Sequence, residues 1–344
     1  MEKIDILSMT KDELSAWITS LGEPKFRAAQ IMEWLIRGAD FSEMKNLPLS
    51  LREKLQELAF IACAVAVKKQ ISCDGTIKYL YRLYDGEVIE SVFMRYKHGN
   101  TICISTEAGC PMGCAFCAST LKGLSRRLLP SEMLSQIIST EKDTGEKISG
   151  IVLMGIGEPL DNYNNVIKFL RLVGSPDGLN IGYRHISLST CGLVDGIRRL
   201  AEENLPITLS ISLHAADDET RSEIMPVNRR WNLSSLLPAC RDYFETTGRR
   251  ISFEYTLIHG KNDSPADAGR LADVLYRYCS GMPLHVNLIP VNNVRERGFL
   301  PSDRQSIRRF AEILGMRRIT ATVRRKLGSD IDASCGQLRA GVSE

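Results

Sequence analysis

The sequence lacks several features that mark whole classes of protein. It has no uninterrupted apolar run of about 18 residues, the length that a membrane-spanning helix needs, so we expect no membrane span. The charged start MEKIDILSMTKDEL lacks the apolar segment of a secretory signal, so we expect a cytoplasmic protein. No internal repeat or low-complexity segment is visible. The formal net charge is only +3, and 44% of the residues are hydrophobic, as in ordinary globular proteins.

What the chain does contain is ten cysteines, which in a cytoplasmic protein indicate reduced thiols, some with metal or catalytic roles. Three of them, Cys110, Cys114 and Cys117, follow the spacing Cys-x-x-x-Cys-x-x-Cys. Thiolates are the usual ligands of iron–sulfur clusters, and a four-iron cluster normally takes four of them. Three ligands leave one iron open to a substrate, which indicates a reactive cluster. Zinc is the alternative, but structural zinc sites favour paired Cys-x-x-Cys motifs and four ligands.

This spacing resembles that of the radical S-adenosylmethionine (SAM) superfamily. Phe116, the aromatic residue before the third cysteine, fits the same pattern. The resemblance implies two cofactors, a [4Fe–4S] cluster and SAM. It also implies a reductive cleavage of SAM that yields a 5′-deoxyadenosyl radical.

The N-terminal part of the chain predicts a small helical module. Thr10 and Glu13 form a capping-box pattern before a helix that Gly22 closes, and two further helices follow. A β-rich segment comes next, with hairpin turns at Asp74-Gly75 and Asp85-Gly86. We therefore divide the chain into a helical module at 1–60, a β-rich extension at 61–95, a core at 96–330 and a tail at 331–344.

The core predicts an α/β fold. Short apolar strands alternate with helical stretches, which indicates a parallel sheet with outer helices. The predicted strands are 102–106, 150–154, 185–189, 207–213, 252–257, 285–289 and 319–323. Six or so strand–helix units predict a partial (β/α)6 barrel, in which the active site lies at the carboxyl ends of the strands. The cysteine loop follows the first strand, which places the cluster at that end.

Polar residues end several of these strands. Gly157 and Glu158 follow the second strand, where a glycine lets the backbone approach a ligand and a carboxylate can accept from an ammonium group. Alternatively, the segment only builds a turn. Ser189, Ser212 and His214 end two other strands and suit the ribose or carboxylate of a ligand. The alternative for these residues is to cap the next helix.

Asn287 and Asn292 flank the end of the sixth strand, where they could reach an adenine or ribose, or only build the turn. Three other residues stand out from their surroundings. Cys103 lies on the first strand, Cys335 lies in a tail with little apolar context, and Glu90 interrupts the apolar stretch VIESV. We interpret the remaining unassigned cysteines as small buried hydrophobic residues, namely Cys63, Cys73, Cys240 and Cys279.

Together these features resemble the radical SAM RNA adenine C2-methyltransferases, which methylate adenine 2503 of bacterial 23S rRNA and, in some members, adenine 37 of tRNA. The matching segments are YLYRLYDGEVIESVFM, CISTEAGCPMGCAFCAST, GIVLMGIGEPLDNYNNV, SISLHAADDETRSEIMPVNRR, HVNLIPVNN and TVRRKLGSDIDASCGQL. They are spread over about residues 75–340.

The resemblance implies a role for each matching residue. The cluster would be held by Cys110, Cys114 and Cys117. SAM would be bound by Gly157, Glu158, Ser189, Ser212, Leu213, His214 and Asn292. Cys335 would carry the methyl group, first accepting it from one SAM and then, as a methylene radical, adding to C2 of adenine. Cys103 would resolve the protein–RNA adduct through a transient disulfide with Cys335, and Glu90 would accept a proton.

The resemblance also implies partners. These are 23S rRNA, tRNA as a further candidate, and an electron donor such as flavodoxin or ferredoxin; we expect a monomer. The target base must leave its stack to reach the barrel. Seven adjacent arginine pairs, such as Arg126-Arg127 and Arg324-Arg325, suit phosphate contacts, although a solvated surface is the alternative. The arginine pairs and the helical module are our candidates for contacts with the RNA backbone.

Three other functions remain open at this point. A related C8-methyltransferase acting on the same adenine shares the cysteines, although Pro159 favours C2 because the C8 enzymes tend to have Ala there. An RNA-binding protein with a structural cluster is a second alternative, which the open ligand position argues against. A glycyl-radical activating enzyme is the third, and it leaves the helical module unexplained.

Overall fold

The computed structural model describes residues 3–339, so residues 340–344 of the predicted tail lie outside the described range. The N-terminal module consists of β1 (Ile4–Asp5), α1 (Lys11–Ser20), α2 (Arg27–Ile36), α3 (Leu49–Leu58) and β2 (Ala59–Phe60). The predicted capping box is present, since the Thr10 side chain accepts from the Glu13 backbone and the Glu13 side chain accepts from the Thr10 backbone. Strands β1 and β2 pair in parallel, which joins the two ends of the module.

The β-rich extension forms three antiparallel strands, β3 (Val65–Ile71), β4 (Ile77–Arg82) and β5 (Val88–Tyr96). Both predicted Asp-Gly turns are found between them, and Gly75 and Gly86 have positive φ angles of 84° and 91°. Strand β5 pairs antiparallel with β6 (Gly99–Cys103), the first strand of the core. The extension is therefore continuous with the core sheet.

A short antiparallel pair, β7 (Glu107–Gly109) and β8 (Leu124–Arg127), brackets the three closely spaced cysteines. The remaining core strands are β9 (Ile148–Leu153), β10 (Ile186–Thr190), β11 (Thr208–Ser212), β12 (Ile251–Leu257), β13 (His285–Pro290) and β14 (Thr320–Val323). Strand β6 and these six strands are parallel, in the order β14-β13-β12-β11-β10-β9-β6. The predicted partial barrel is confirmed.

Helices connect the parallel strands along the outside. They are α4 (Pro130–Thr144), α5 (Tyr163–Gly174), α6 (Val194–Glu202), α7 (Asp218–Ile224), α8 (Leu233–Thr247), α9 (Pro265–Cys279) and α10 (Arg304–Met316). Their apolar faces and the strands form one continuous core, which also includes Leu14 and Ile18 of the N-terminal module. In the part of the chain that is described, no helix combines the length and hydrophobicity that a membrane crossing requires.

The cysteines outside the cluster loop divide into two groups. Cys240 and Cys279 are fully buried, as predicted. Cys63 and Cys73 are exposed, so their interpretation as buried residues is wrong. Cys63 lies in the connection between β2 and β3, and Cys73 lies in the hairpin turn between β3 and β4. Connections and turns run over the surface, which leaves their side chains open to solvent.

Candidate active site

An open cavity lies at the carboxyl ends of the parallel strands. It brings together most of the residues that the sequence singles out. Its lining includes Cys110, Cys114, Cys117, Gly157, Glu158, Ser189, Ser212, His214, Asn292 and Cys335. The strand ends of a barrel converge at one mouth, which explains how residues so far apart in the chain meet there.

The cysteine loop places three thiols on this cavity. Burial raises the pKa of Cys114 to about 12, and burial also raises the pKa values of Cys110 and Cys117. Such thiols stay protonated at neutral pH unless positive charge approaches their sulfurs. Iron supplies that charge, so three thiols on one loop, facing an open cavity, fit a cluster with one iron free for another ligand.

A single bound metal ion fits this loop less well. Within residues 3–339, no three His, Cys, Asp or Glu side chains are arranged as ligands of one ion. A four-iron cluster needs no such arrangement, because each of its thiolates binds a different iron.

The segment after β9 is built for close backbone approach. Gly157 has a φ of +108°, and a Cβ at this position would lie 2.7 Å from the Cβ of Glu107. Glu158 is 3% exposed, and its carboxylate accepts from the backbone amides of Cys191 (2.7 Å) and Leu160 (3.0 Å). Glu158 lines the cavity and at the same time ties the end of β9 to the end of β10.

His214 follows β11 with a left-handed backbone, at a φ of +58°. Its Nδ1 accepts from the backbone amide of Thr256 (2.9 Å), and its carbonyl accepts from Asn262 (2.7 Å). Burial lowers the pKa of His214 to about 3, so the ring is neutral. Phe116 meets it edge to face, with ring centroids 5.0 Å apart. The left-handed backbone and the hydrogen bond to Nδ1 hold the neutral imidazole of His214 in one orientation. A ring held in this way is suited to orienting a ligand.

The predicted Leu213 is placed differently from its neighbours. Its side chain is fully buried in the core and does not line the cavity. Its carbonyl accepts from Nε of Arg221 (3.0 Å). Side chains alternate between the two faces of a strand, so the residue between Ser212 and His214 points away from them.

Arg221 is a structural residue that sequence reasoning missed. It is fully buried, and it donates to the carbonyls of Cys191 (2.7 Å) and Ser212 (3.2 Å) as well as to that of Leu213. It therefore joins the ends of β10 and β11, where Ser189 and Ser212 place their hydroxyl oxygens 3.5 Å apart. No local pattern marks Arg221, because its partners lie in other elements.

The tail brings Cys335 to the same cavity. The Cys335 carbonyl accepts from Nδ2 of Asn292 (3.0 Å), and the next carbonyl, of Gly336, accepts from the backbone amide of Ala118 (2.8 Å). These contacts attach the tail to the end of β13 and to the residue after Cys117. Asn287 instead donates to Glu254 (2.7 Å) from within β13.

A second cavity adjoins the first. Cys103 lines it, and Met154, Asn292, Arg324 and Cys335 line both cavities. Burial raises the pKa of Cys103 to about 12. Both cysteines are free thiols, as are the other eight. Cys335 thus lies between the cluster cysteines and Cys103, although the predicted disulfide is not formed in this structure.

Glu90 lines neither cavity. Its buried carboxylate accepts from the backbone amide of Arg339 (2.9 Å) and lies 3.4 Å from Nζ of Lys78. Burial raises the pKa of Glu90, against the opposing effect of Lys78. In this structure Glu90 contacts the tail beyond Cys335 rather than the cavities.

Two more charged residues escaped sequence reasoning. Glu254 on β12 is 4% exposed, and Arg324 follows β14; both line the first cavity. Glu254 interrupts the apolar strand ISFEYTL in the same way that Glu90 interrupts VIESV, so the same signal could have identified it. The sequence marks Arg324 only as one half of an arginine pair.

In four of the seven arginine pairs, at least one arginine lies near a carboxylate of the protein itself. Arg126 pairs with Asp85 and Glu132, and Arg127 pairs with Asp161. Arg308 and Arg309 approach Glu312, and Arg317 pairs with Asp273. These contacts support the solvated-surface alternative for those arginines and weaken the argument that they bind RNA.

Comparison with known families now adds to this geometry. The model of the ribosomal RNA large subunit methyltransferase N-terminal domain matches residues 4–61, and that of the radical SAM superfamily matches residues 104–272. The first match covers the helical module, and the second covers the cysteine loop and most of the barrel.

Relatives match the chain along its whole length. A probable dual-specificity RNA methyltransferase RlmN of Alkaliphilus oremlandii is 53% identical over 341 residues, which covers 98% of each chain. A protein of the same name from Lachnoclostridium phytofermentans is 50% identical over 348 residues, which covers 100% of this chain and 96% of the relative. The crystal structure of a radical SAM methyltransferase from Sphaerobacter thermophilus superposes with a TM-score of 0.93 at 41% identity, covering 97% of this chain and 99% of the other.

Proposed function

Because this chain belongs to the dual-specificity RNA methyltransferase (RlmN) family of the radical SAM superfamily, we propose that it methylates C2 of adenine in RNA, at adenine 2503 of 23S rRNA and adenine 37 of tRNA. One observation carries the proposal beyond family membership. The tail places Cys335 between a cavity lined by three cluster-type cysteines and a cavity lined by Cys103.

In this proposal Cys110, Cys114 and Cys117 hold the [4Fe–4S] cluster. The residues that bind and orient SAM are Gly157, Glu158, Ser189, Ser212, His214 and Asn292, with Leu213 contributing through its backbone. When bound, the cluster and SAM supply a carbon-centred radical.

Cys335 is the methyl carrier, because C2 of adenine is not nucleophilic enough to attack SAM directly, whereas a thiolate is. Cys103, on the far side of Cys335, resolves the covalent adduct between protein and RNA. Glu90 accepts a proton at this stage. Since Glu90 is bound to the Arg339 amide in this structure, that role requires the tail to move.

The alternatives are less well supported. Two observations argue against the C8-methyltransferase hypothesis. The chain has Pro159 where the C8 enzymes tend to have Ala, and the relatives that share about half of its residues over nearly its whole length are named as RlmN methyltransferases. The hypothesis of a binding protein with a structural cluster does not explain why Cys335 lines both cavities. The helical module, which a glycyl-radical activating enzyme leaves unexplained, is matched by the N-terminal domain of a ribosomal RNA methyltransferase.

The proposal includes its partners. The enzyme works in the cytoplasm on rRNA and tRNA, as a monomer, with flavodoxin or ferredoxin as electron donor. The helical module provides contacts with the RNA backbone, together with those arginines that are not engaged by carboxylates of the protein.

Nucleoside mass spectrometry tests the proposed reaction. Anaerobically reconstituted enzyme is incubated with SAM and a reductant, separately with an rRNA fragment and with tRNA. We expect 2-methyladenosine in both RNAs. 8-Methyladenosine would establish the C8 alternative, and unmodified RNA together with unreacted SAM would establish the binding protein. Product in rRNA alone would remove tRNA from the proposal.

A further inference from the structure

The sulfur of Cys335 has a charged neighbour that the proposed roles do not use. Nη1 of Arg324 lies 3.1 Å from Sγ of Cys335, and Nη2 of the same guanidinium lies 3.3 Å from Sδ of Met154. Both of these sulfur-bearing residues line the two cavities, as Arg324 itself does. Arg324 therefore forms part of the partition between the cavities and contacts the carrier sulfur there.

The guanidinium is held in place by a buried carboxylate. Glu254 lies 3.8 Å from Nη2 of Arg324. Its two oxygens accept from Nδ2 of Asn287 (2.7 Å) and from the hydroxyl of Ser252 (3.2 Å). The backbone amide of Arg324 also donates to the carbonyl of Leu288 (2.9 Å). The backbone of Arg324 is thus fixed by Leu288, and its Nη2 faces the carboxylate of Glu254. Its Nη1 is directed at the Cys335 thiol.

Arg325 and Lys326 also line the second cavity, but among the described contacts Arg324 is the cation within hydrogen-bond distance of the Cys335 sulfur. Tyr96, Cys103 and Cys117 all lie within electrostatic range of Cys335. Each of these groups is neutral or, once ionised, negative. Arg324 is the cation that faces the sulfur, and the charge of Cys335 raises the pKa of Arg324 in turn.

We propose that Arg324 is the cationic partner that makes Cys335 the nucleophile, and that Glu254 is the positioning residue that aims it. The inference rests on the proposed role of Cys335 as methyl carrier. The thiol first loses its proton to water in the open cavity. Sγ then forms a bond to the methyl carbon of SAM, and the bond from that carbon to the sulfonium breaks, its electron pair remaining on the departing sulfur. No oxidant or reductant takes part in this step.

The arrangement also accounts for selectivity among the thiols at the site. Cys103 is more deeply buried than Cys335 and has no cation at hydrogen-bond distance among its described contacts. A guanidinium next to one sulfur lets that thiol ionise first, since a charge-assisted hydrogen bond favours the anion. The methyl group is therefore directed to the tail cysteine rather than to the cysteine on β6.

Thiol alkylation tests the inference without cluster, SAM or RNA. Full-length protein is purified in its cluster-free form, and peptide mass spectrometry quantifies the free fraction of Cys335. Iodoacetamide labelling of that cysteine is then followed across pH, with the exposed Cys73 of the same molecule as internal standard. The plateau at high pH reports access to the sulfur, and the pH of half-maximal labelling reports its charge.

The variants separate charge from geometry. In Arg324→Met, we expect the midpoint of labelling to rise by about one pH unit and labelling near neutral pH to fall about tenfold relative to Cys73. Arg324→Lys keeps the positive charge, and its labelling midpoint should lie between those of the wild type and Arg324→Met. Glu254→Gln should raise the midpoint by a smaller amount. Arg308→Met, which removes an exposed arginine of α10, is the matched control and should leave the midpoint unchanged.

A second measurement keeps this inference distinct from the proposed function. SAM-dependent methylation of Cys335 is followed by peptide mass spectrometry in the reconstituted wild type and in Arg324→Met. We expect methylation in both, about tenfold slower in the variant. If the wild type is not methylated, the carrier role is wrong, while the alkylation midpoints still decide whether Arg324 activates the thiol. Equal midpoints in the wild type and a folded Arg324→Met variant would overturn the inference.

Discussion

The cysteine loop and the tail present thiols to the same cavity, but they are held in different ways. The loop is fixed by its own backbone and by neighbouring strands and helices: the Cys110 amide donates to Gly123 (3.0 Å), and the Ala115 amide donates to Ile224 (2.8 Å). The tail is held largely by side chains of other elements, including Asn292 on one side and Glu90 on the other. The loop suits ligands that stay in place, whereas side-chain anchors can release a segment without unfolding the barrel.

The β-rich extension also anchors the tail and the residues just before it. Asp74 and the Ser72–Cys73 turn bind Gly328 and Asp330, and Lys78 donates to the Asp332 carbonyl (3.2 Å). The extension is thus a dock for the tail rather than a linker. The contrast between the cysteine loop and the tail makes a prediction. Substitutions in the loop should abolish the reaction, whereas substitutions in the dock should slow it or change its outcome.

The largest effect is expected in the loop. Cys114→Ala removes one of the three proposed ligands from a rigid segment, so cluster content and SAM cleavage should both be lost. Iron and sulfide analysis and the yield of 5′-deoxyadenosine measure this. Cys240→Ala, in the buried part of α8, is the control and should keep both. Full cluster occupancy in Cys114→Ala would disprove the ligand assignment.

The next largest effect is expected at Cys103, which lines the second cavity. If Cys103 resolves the adduct, Cys103→Ala should still form the carbon–carbon bond and then stall, with RNA covalently attached to Cys335. The purified variant should carry RNA that resists denaturant and that nuclease trims to a residual nucleotide. Cys279→Ala, a buried cysteine of α9, should carry none. Normal turnover by Cys103→Ala without trapped RNA would show that Cys103 only packs the strand.

The same contrast explains what the sequence could predict. The cysteine spacing, the Thr10–Glu13 capping box and the Asp-Gly turns are local patterns, and all are found as expected. The contact of Arg324 with Cys335 and Glu254 depends on how β12, β14 and the tail are arranged, which no local window contains. The exposure of Cys73 likewise depends on its place in a surface hairpin turn, so a rule based on residue type fails there.

A third effect, of intermediate size, separates the anchoring contact of Glu90 from its proposed role in proton transfer. Glu90→Gln should lower the free energy of unfolding by about 3 kcal/mol, because the charge of Lys78 is then buried without its partner. Thermal or denaturant unfolding measures this loss.

The control is the double variant Lys78→Met/Glu90→Leu, which removes the unpaired charge and should recover most of the stability. It should not recover product formation, since neither the tail anchor nor the proton acceptor is restored. A double variant with normal turnover would mean that Glu90 serves stability alone.

The smallest effect is expected at the exposed end of the dock, where the carboxylate of Asp74 accepts from the amides of Gly328 (3.0 Å) and Thr76 (2.9 Å). Burial raises the pKa of Asp74, but hydrogen bonds from Thr76, Gly328 and Ser72 outweigh burial and lower it from 3.8 to about 2. The folded protein therefore favours the charged form. The stabilisation is complete above the ordinary pKa and is lost as the pH falls towards 2.

Asp74→Asn should cost less than about 1 kcal/mol at neutral pH, since the group is exposed. The difference from the wild type should shrink as the pH falls from 4 to 2, which unfolding measured across that range would detect. Tryptic cleavage near Arg325 and Lys326 should become faster as the tail loosens. Asp85→Asn offers a matched control, because Asp85 occupies the other Asp-Gly turn and pairs with Arg126 rather than with the tail. Equal cleavage rates in the two variants would mean that the hairpin does not hold the tail, and that the barrel contacts of Cys335 and Gly336 suffice.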